Sequence, residues 1–131
     1  SSQIARLESF IQKRNELAKR YHSAFVELPL EIPLDYPTVK SSYHLYIVKV
    51  SDKATVDRYH LYNYLRDNDI GVNVHYIPVH LHPYYKSLGF SVGDFPEAER
   101  YYEKAISLPL FPQLSHTDQD YIIKSVREAM V

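Results

Sequence analysis

Histidine is the side chain that first invites a chemical reading of this sequence, because three of its seven histidines, His75, His80 and His82, crowd into one short window. Three imidazole nitrogens and an open fourth position suit a catalytic zinc. The spacing matches no common ligand motif, however, and no acidic residue inside the window is placed to orient a ligating ring. Two other readings fit the same residues. One is a polar rim, in which His and Tyr side chains on a proline-stiffened loop hydrogen-bond an oxygen-rich ligand. The other is a set of satisfied interfacial histidines, and both stay open on the residues alone.

Other chemistries find less support. Ser, His and Asp are all present, but nothing is read as an oxyanion site, so a hydrolase is not expected. Lys86, in Tyr84-Tyr85-Lys86-Ser87, would need a desolvated setting to act as a Schiff-base amine, and an exposed turn is the expectation instead. With no cysteine, thiolate zinc sites, disulfides and cysteine nucleophiles are excluded. Only 3 glycines leave no glycine-rich phosphate loop. The 15 basic and 16 acidic residues nearly cancel, so neither nucleic acid nor a membrane surface is an expected partner. The 13 tyrosines do not gather with basic groups, and core and interface packing is the expected use of most of them.

The elements that must position the histidines follow from periodicity. Ile4, Leu7, Ile11, Ala18, Tyr21 and Phe25 lay a stripe along a first helix, spanning 3–27. Its basic residues Arg6, Lys13, Arg14, Lys19 and Arg20 make either a docking face or a solvated side. Pro29, Pro33 and Pro37 then impose an extended connector over 28–40. Tyr43 to Val50 reads as a central strand, and Val56 to Asn68 as a helix capped by Thr55 or Ser51, with a left-handed turn at Asn68 and Asp69. Gly71 to Ile77 is the next expected strand. Regular alternation there would send His75 and Tyr76 to opposite faces, unless the strand ends or bulges near Pro78. A helical turn over Tyr84–Gly89, a helix from Pro96 to about Ile106, and a last helix opened by Ser115 complete the pattern. A third strand is expected from Ser107-Leu108 or from Leu30-Glu31-Ile32. The fold class is therefore α/β or α+β, a small open sheet with helices packed on it.

The 131 residues, 45% apolar, fit one domain with a real core. The longest apolar run, Leu45 to Val48, is far shorter than the ~20 residues of a membrane-spanning helix, and no leader pattern opens the chain, so a cytoplasmic protein is expected. The start at Ser1-Ser2-Gln3, without Met, suggests a piece of something longer.

The segment Gly71-Val72-Asn73-Val74-His75-Tyr76-Ile77-Pro78-Val79-His80-Leu81-His82-Pro83-Tyr84-Tyr85 resembles the C-terminal region of the DegT/DnrJ/StrS sugar aminotransferases. The resemblance extends over Gln3-Ile4-Ala5-Arg6-Leu7, Arg14, Arg20-Tyr21, Ser42-Tyr43-His44-Leu45-Tyr46, Gly89, Phe95-Pro96-Glu97-Ala98-Glu99 and Ser107-Leu108-Pro109-Leu110-Phe111-Pro112. Within the family the wording around His75 is most similar to the branch that aminates a 4-keto sugar on UDP in the pseudaminic acid pathway. The resemblance implies the fold of aspartate aminotransferase, fold type I. Residues 1–131 would be its C-terminal small domain, with the first helix linking to a large domain that binds pyridoxal phosphate and carries the Schiff-base lysine. It implies amino transfer from glutamate to a nucleotide-linked keto sugar in surface polysaccharide biosynthesis, by a homodimer. Carried over by motif, the substrate-binding residues are His75 and Tyr76, joined by His80 and Tyr84 on the following loop. No catalytic, cofactor-binding or metal-binding residue falls in this chain, and the isolated chain would be inactive. The rival is a stand-alone, non-catalytic module that binds a sugar nucleotide or docks on a partner.

Overall fold

A computed structural model describes residues 4–36 and 38–131; the predicted helix start at Gln3 and the connector's Pro37 lie outside the described residues. After a single 3-10 turn at Ile4–Arg6, α1 spans Leu7–Phe25. Its stripe is buried only in the C-terminal half, at Leu17, Ala18, Tyr21 and Phe25, whereas Ile4 is 72% and Leu7 52% exposed. The connector contributes β1, Leu30–Glu31, which leads to β2, Tyr46–Val50. β2 starts three residues later than expected because Tyr43 adopts a left-handed φ of 43°, which no strand tolerates.

α2 covers Arg58–Asp67, α3 is the short helix Pro83–Ser87, α4 spans Pro96–Lys104, β3 is Ala105–Leu108, and α5 runs His116–Ala129. The sheet order is β1-β2-β3, antiparallel throughout, with β2 central as expected. Both expected sources of a third strand are used, β1 and β3 flanking β2. The residues read as the end of the fourth helix, Ala105 and Ile106, belong to β3 instead. They are buried, and Pro109 holds Leu108 extended, so the ladder with β2 satisfies their backbone.

A second correction concerns 71–77, which is no strand. Val72 N–H donates to Ile70 O at 3.0 Å, closing a local turn, and only Asn73 bridges Ser107 on the outer edge of β3. Ile70 and Val72 are buried, so the apolar pattern there reported packing and not a ladder. The predicted turn before it is present: Asp69 has φ 58°. The α2 cap is Asp57, whose carboxylate accepts from His60 N–H at 2.7 Å, rather than Thr55 or Ser51. Ser51 is already used in its own turn, accepting from Lys53 N–H. Ser115 caps α5 as predicted, accepting from Asp118 N–H at 3.0 Å.

The core fills one face of the sheet. Tyr46, Val48, Val50, Ile106 and Leu108 meet Leu17, Tyr21 and Phe25 of α1, Leu61 and Leu65 of α2, and Ile122 and Val126 of α5. Directly opposed residues of an antiparallel pair share a face, so Ile47, Lys49, Ala105 and Ser107 look the other way. Of the 13 tyrosines Tyr21, Tyr43 and Tyr46 are buried in the core, and Tyr62 and Tyr64 pack against it half-buried. Among the described residues no helix is long and apolar enough to cross a membrane.

Candidate functional site

Everything that makes the His75 region chemically distinct follows from its attachment to the edge of β3. The Asn73 bridge uses both backbone groups of Ser107: Asn73 N–H donates to Ser107 O at 3.3 Å, and Ser107 N–H to Asn73 O at 2.8 Å. Two residues on, His75 Nδ1 lies 2.8 Å from the Ser107 hydroxyl. Ser107 is buried, being 6% exposed, and sits on the sheet face opposite the core. The His75–Tyr76 peptide bond is cis, and the two rings meet edge to face with centroids 4.6 Å apart. The expected separation onto opposite strand faces therefore does not arise, because there is no regular strand to alternate. Tyr76 is 74% exposed.

Pro78 precedes a single 3-10 turn, Val79–Leu81, which buries His80 to 7% exposure. Its Nε2–H donates to Glu99 Oε1 at 2.8 Å, and its ring packs on Phe95 with centroids 4.8 Å apart. Glu99 also accepts from the N–H groups of Gly93 and Phe95, so one carboxylate of α4 ties down the loop before it. That Gly93 N–H, more than the His80 bond, holds the carboxyl below its ordinary value. Gly93 has φ 97°, a left-handed conformation that a side chain would strain. Tyr84, on α3, is 68% exposed, and Gly89 ends that turn with φ 102° as predicted.

The three histidines thus go to three different partners, Ser107, Glu99 and, for His82, the Ile77 carbonyl at 3.3 Å. Among the described residues no group of three His, Asp or Glu is placed to hold a metal ion. Lys86 is exposed on α3. One sequence feature was overlooked: Gly89-Phe90-Ser91-Val92-Gly93 has the Gly-x-Ser-x-Gly spacing of a nucleophile elbow. The structure places it between two helices with no strand before it, and Ser91 N–H donates to Asp94 at 2.8 Å, so the elbow geometry is absent.

On the same sheet face as Ser107 lies an open trough of about 700 Å³, lined by Ile32, Leu45, Ile47 and Tyr101, with the Lys49–Glu31 ion pair (2.5 Å) at its side. Such a face offers apolar surface for a ring and polar groups at the edge. The sequence pattern marked Ser107 as a strand and motif position but not as a partner of His75, and it did not announce the trough, since both depend on which strands pair.

Comparison with known proteins gives these residues a setting. Residues 1–127 match the model of the DegT/DnrJ/EryC1/StrS aminotransferase family. The chain is 42% identical over 130 residues to the spore coat polysaccharide biosynthesis protein SpsC of Bacillus subtilis, covering 96% of this chain and 33% of that protein. Among solved structures, Spr1654 of Streptococcus pneumoniae, described as a sugar aminotransferase and solved in PLP and PMP forms, superposes with a TM-score of 0.90 at 35% identity, over 98% of this chain and 33% of that one. Helicobacter pylori PseC, an aminotransferase of pseudaminic acid biosynthesis, superposes with a TM-score of 0.82 at 28% identity, over 98% of this chain and 35% of that one. The chain spans about a third of the length of the relatives it matches.

Proposed function

This chain belongs to the DegT/DnrJ/EryC1/StrS aminotransferase family, and on that basis we propose that it is the C-terminal small domain of an enzyme that moves an amino group from glutamate to a nucleotide-linked keto sugar. The family match over residues 1–127 carries this reading. The product would enter surface polysaccharide synthesis, the role that gives the relative SpsC its name as a spore coat polysaccharide biosynthesis protein. We place the enzyme in the cytoplasm as a homodimer, which sedimentation of the intact protein at twice the chain mass would support and a monomer would refute.

Pyridoxal phosphate supplies the electron sink in such chemistry. Two features of the described residues support placing its holder outside this chain. Each lysine is either exposed or, at Lys13, Lys49 and Lys104, ion-paired to a carboxylate. The first turn of α4 presents Glu97 and Glu99, which repel a phosphate. This supports our reading that cofactor binding and the Schiff-base lysine are supplied by a large domain outside this chain. The work assigned to this chain is recognition. His75 offers an open ring nitrogen, Tyr76 and Tyr84 offer exposed hydroxyls, and His80 acts through the loop that it and Glu99 hold. These groups hydrogen-bond sugar hydroxyls or diphosphate oxygens without moving the reaction's proton.

The test begins with the reading frame upstream of Ser1. An in-frame large domain is the expected finding; a start codon directly before Ser1 would instead favour the stand-alone binding module. In the intact enzyme, His75→Ala should lower kcat/KM for a UDP-linked 4-keto sugar by about tenfold or more, with the cofactor's absorbance unchanged. An unchanged kcat/KM would remove His75 from the substrate site.

A further inference from the structure

Ser107 satisfies all of its polar groups through the segment that carries His75. Its N–H and C=O pair with Asn73, and its hydroxyl has one hydrogen-bond partner among the described residues, His75 Nδ1 at 2.8 Å. A hydroxyl donates one proton, and a buried donor left without an acceptor is costly. With the Ser107 carbonyl already taken by Asn73, the acceptor within reach is the lone pair of Nδ1. That lone pair exists only in the neutral ring whose proton sits on Nε2. The opposite arrangement, Nδ1–H donating to Oγ, would leave the serine proton buried and unused.

The other ring nitrogen is open. Among the described residues the only buried side-chain polar atom lacking a partner is Arg14 Nε, so the unbonded Nε2 of the half-buried His75 reaches solvent. The edge-to-face contact with Tyr76 limits rotation of the ring. We infer that Ser107 is a positioning residue that holds neutral His75 as the Nε2–H tautomer, so that the site presents a fixed hydrogen-bond donor to an acceptor oxygen of the ligand. This rests on the preceding section for the nature of the ligand, a nucleotide sugar, but not for the tautomer.

The tautomer is read directly from long-range 1H–15N correlation spectra of the 15N-labelled chain near neutral pH, with no ligand present. The expected pattern is an unprotonated Nδ1 and a protonated Nε2 for His75. Ser107→Ala should shift the ring toward a mixture of tautomers, and Ser107→Thr, which keeps the hydroxyl, should restore the original pattern. A proton on Nδ1 in the unsubstituted chain overturns the proposal, as does a Ser107→Ala spectrum identical to it. Should Ser107→Ala fail to fold, the unsubstituted spectrum still decides. In the intact enzyme Ser107→Ala should raise KM for the nucleotide sugar about threefold to tenfold with kcat little changed, and Ser107→Thr should reverse this. UDP alone as an inhibitor separates the acceptors: equal weakening of UDP binding locates the oxygen on the diphosphate, and unaltered UDP binding locates it on the sugar. An enzyme without amination activity whose His75 shows the expected tautomer would overturn the function proposed above and leave the role of Ser107 supported.

Discussion

Tyr21 carries its hydroxyl into the centre of the molecule, where the ring is fully buried, stacks on Phe25 at 5.3 Å and leans on Tyr46 at 4.9 Å. Its O–H donates to Pro109 O at 2.9 Å, binding α1 to the chain just past β3. Removing the hydroxyl leaves that carbonyl without this partner, so Tyr21→Phe should cost about 1 to 3 kcal/mol. Urea unfolding checks it through a lower midpoint at constant slope, and an unmoved midpoint would mean water replaces the bond. The ring itself was legible as part of a helical stripe, because burial repeats with the helix. The bond was not, since it joins residues far apart in sequence. Gln119 was missed for the same reason. It reads as a surface residue, yet it is fully buried on α5, donating to Leu17 O at 2.7 Å and accepting from Arg20 at 2.8 Å. The site divides along the same line: His75 and Tyr76 stood out by type and motif, whereas Ser107 looked like an ordinary polar position in a short apolar run.

At the scale of elements, local rules worked where the decisive contact is local. Ser115 and Asp118 are three residues apart, and their cap geometry is written in that spacing. For α2 the expected cap was Thr55 or Ser51, and the observed cap, Asp57, is set by where the preceding chain folds. Ala54 N–H donates to Ser51 O at 3.0 Å, making a turn that uses up Ser51 and delays helix entry to Asp57. Asp57→Ala should therefore lower stability by about 1 kcal/mol, while Thr55→Ala should change it by less than about 0.5 kcal/mol. Thermal unfolding of the two variants side by side discriminates them, and a larger loss at Thr55 would contradict the observed cap. The failures at 71–77 and at 105–106 have the opposite character. Burial on its own does not say whether a backbone pairs with a neighbouring strand or turns locally, and only the long-range ladder settles it.

For the molecule as a whole, the buried tyrosines and the paired carboxylates set the pH range over which the fold holds. Burial first, then the hydrogen bond to Asp35 and that carboxylate's charge, pushes the Tyr43 hydroxyl from 10.0 up to about 12. Burial raises Tyr21 and Tyr46 as well, and for Tyr46 the ionised forms of Tyr43 and Tyr21 and the charge of Asp35 add to it. The fold thus prefers the protonated phenols. Their contribution is complete below the ordinary value of 10.0 and is lost as pH rises from there through about 12. The carboxylates act in the other direction. Asp52 is held below 3.8 by its hydrogen bond from Lys104 and that cation's charge. Glu16 is held below 4.5 by its hydrogen bonds from Lys13 and His116, and Glu99 below 4.5 first by Gly93 N–H and then by His80. Their contributions are complete above those ordinary values and disappear as pH falls through the lowered ones. The urea midpoint should therefore fall as pH drops below the ordinary carboxylate values and fall again as pH rises past about 10. Tyrosinate absorbance isolates the alkaline limb. Tyr21, Tyr43 and Tyr46 should ionise only as the chain unfolds, giving a second, cooperative rise above that of the seven exposed tyrosines, with Tyr62, Tyr64 and Tyr102 half-buried between the two groups. A single rise centred near the ordinary value, with the urea midpoint unchanged through it, would mean that the Tyr21, Tyr43 and Tyr46 cluster does not oppose ionisation. In Tyr43→Phe the cooperative step should shrink and the alkaline fall become shallower, because one of the three phenols whose ionisation the fold resists has been removed.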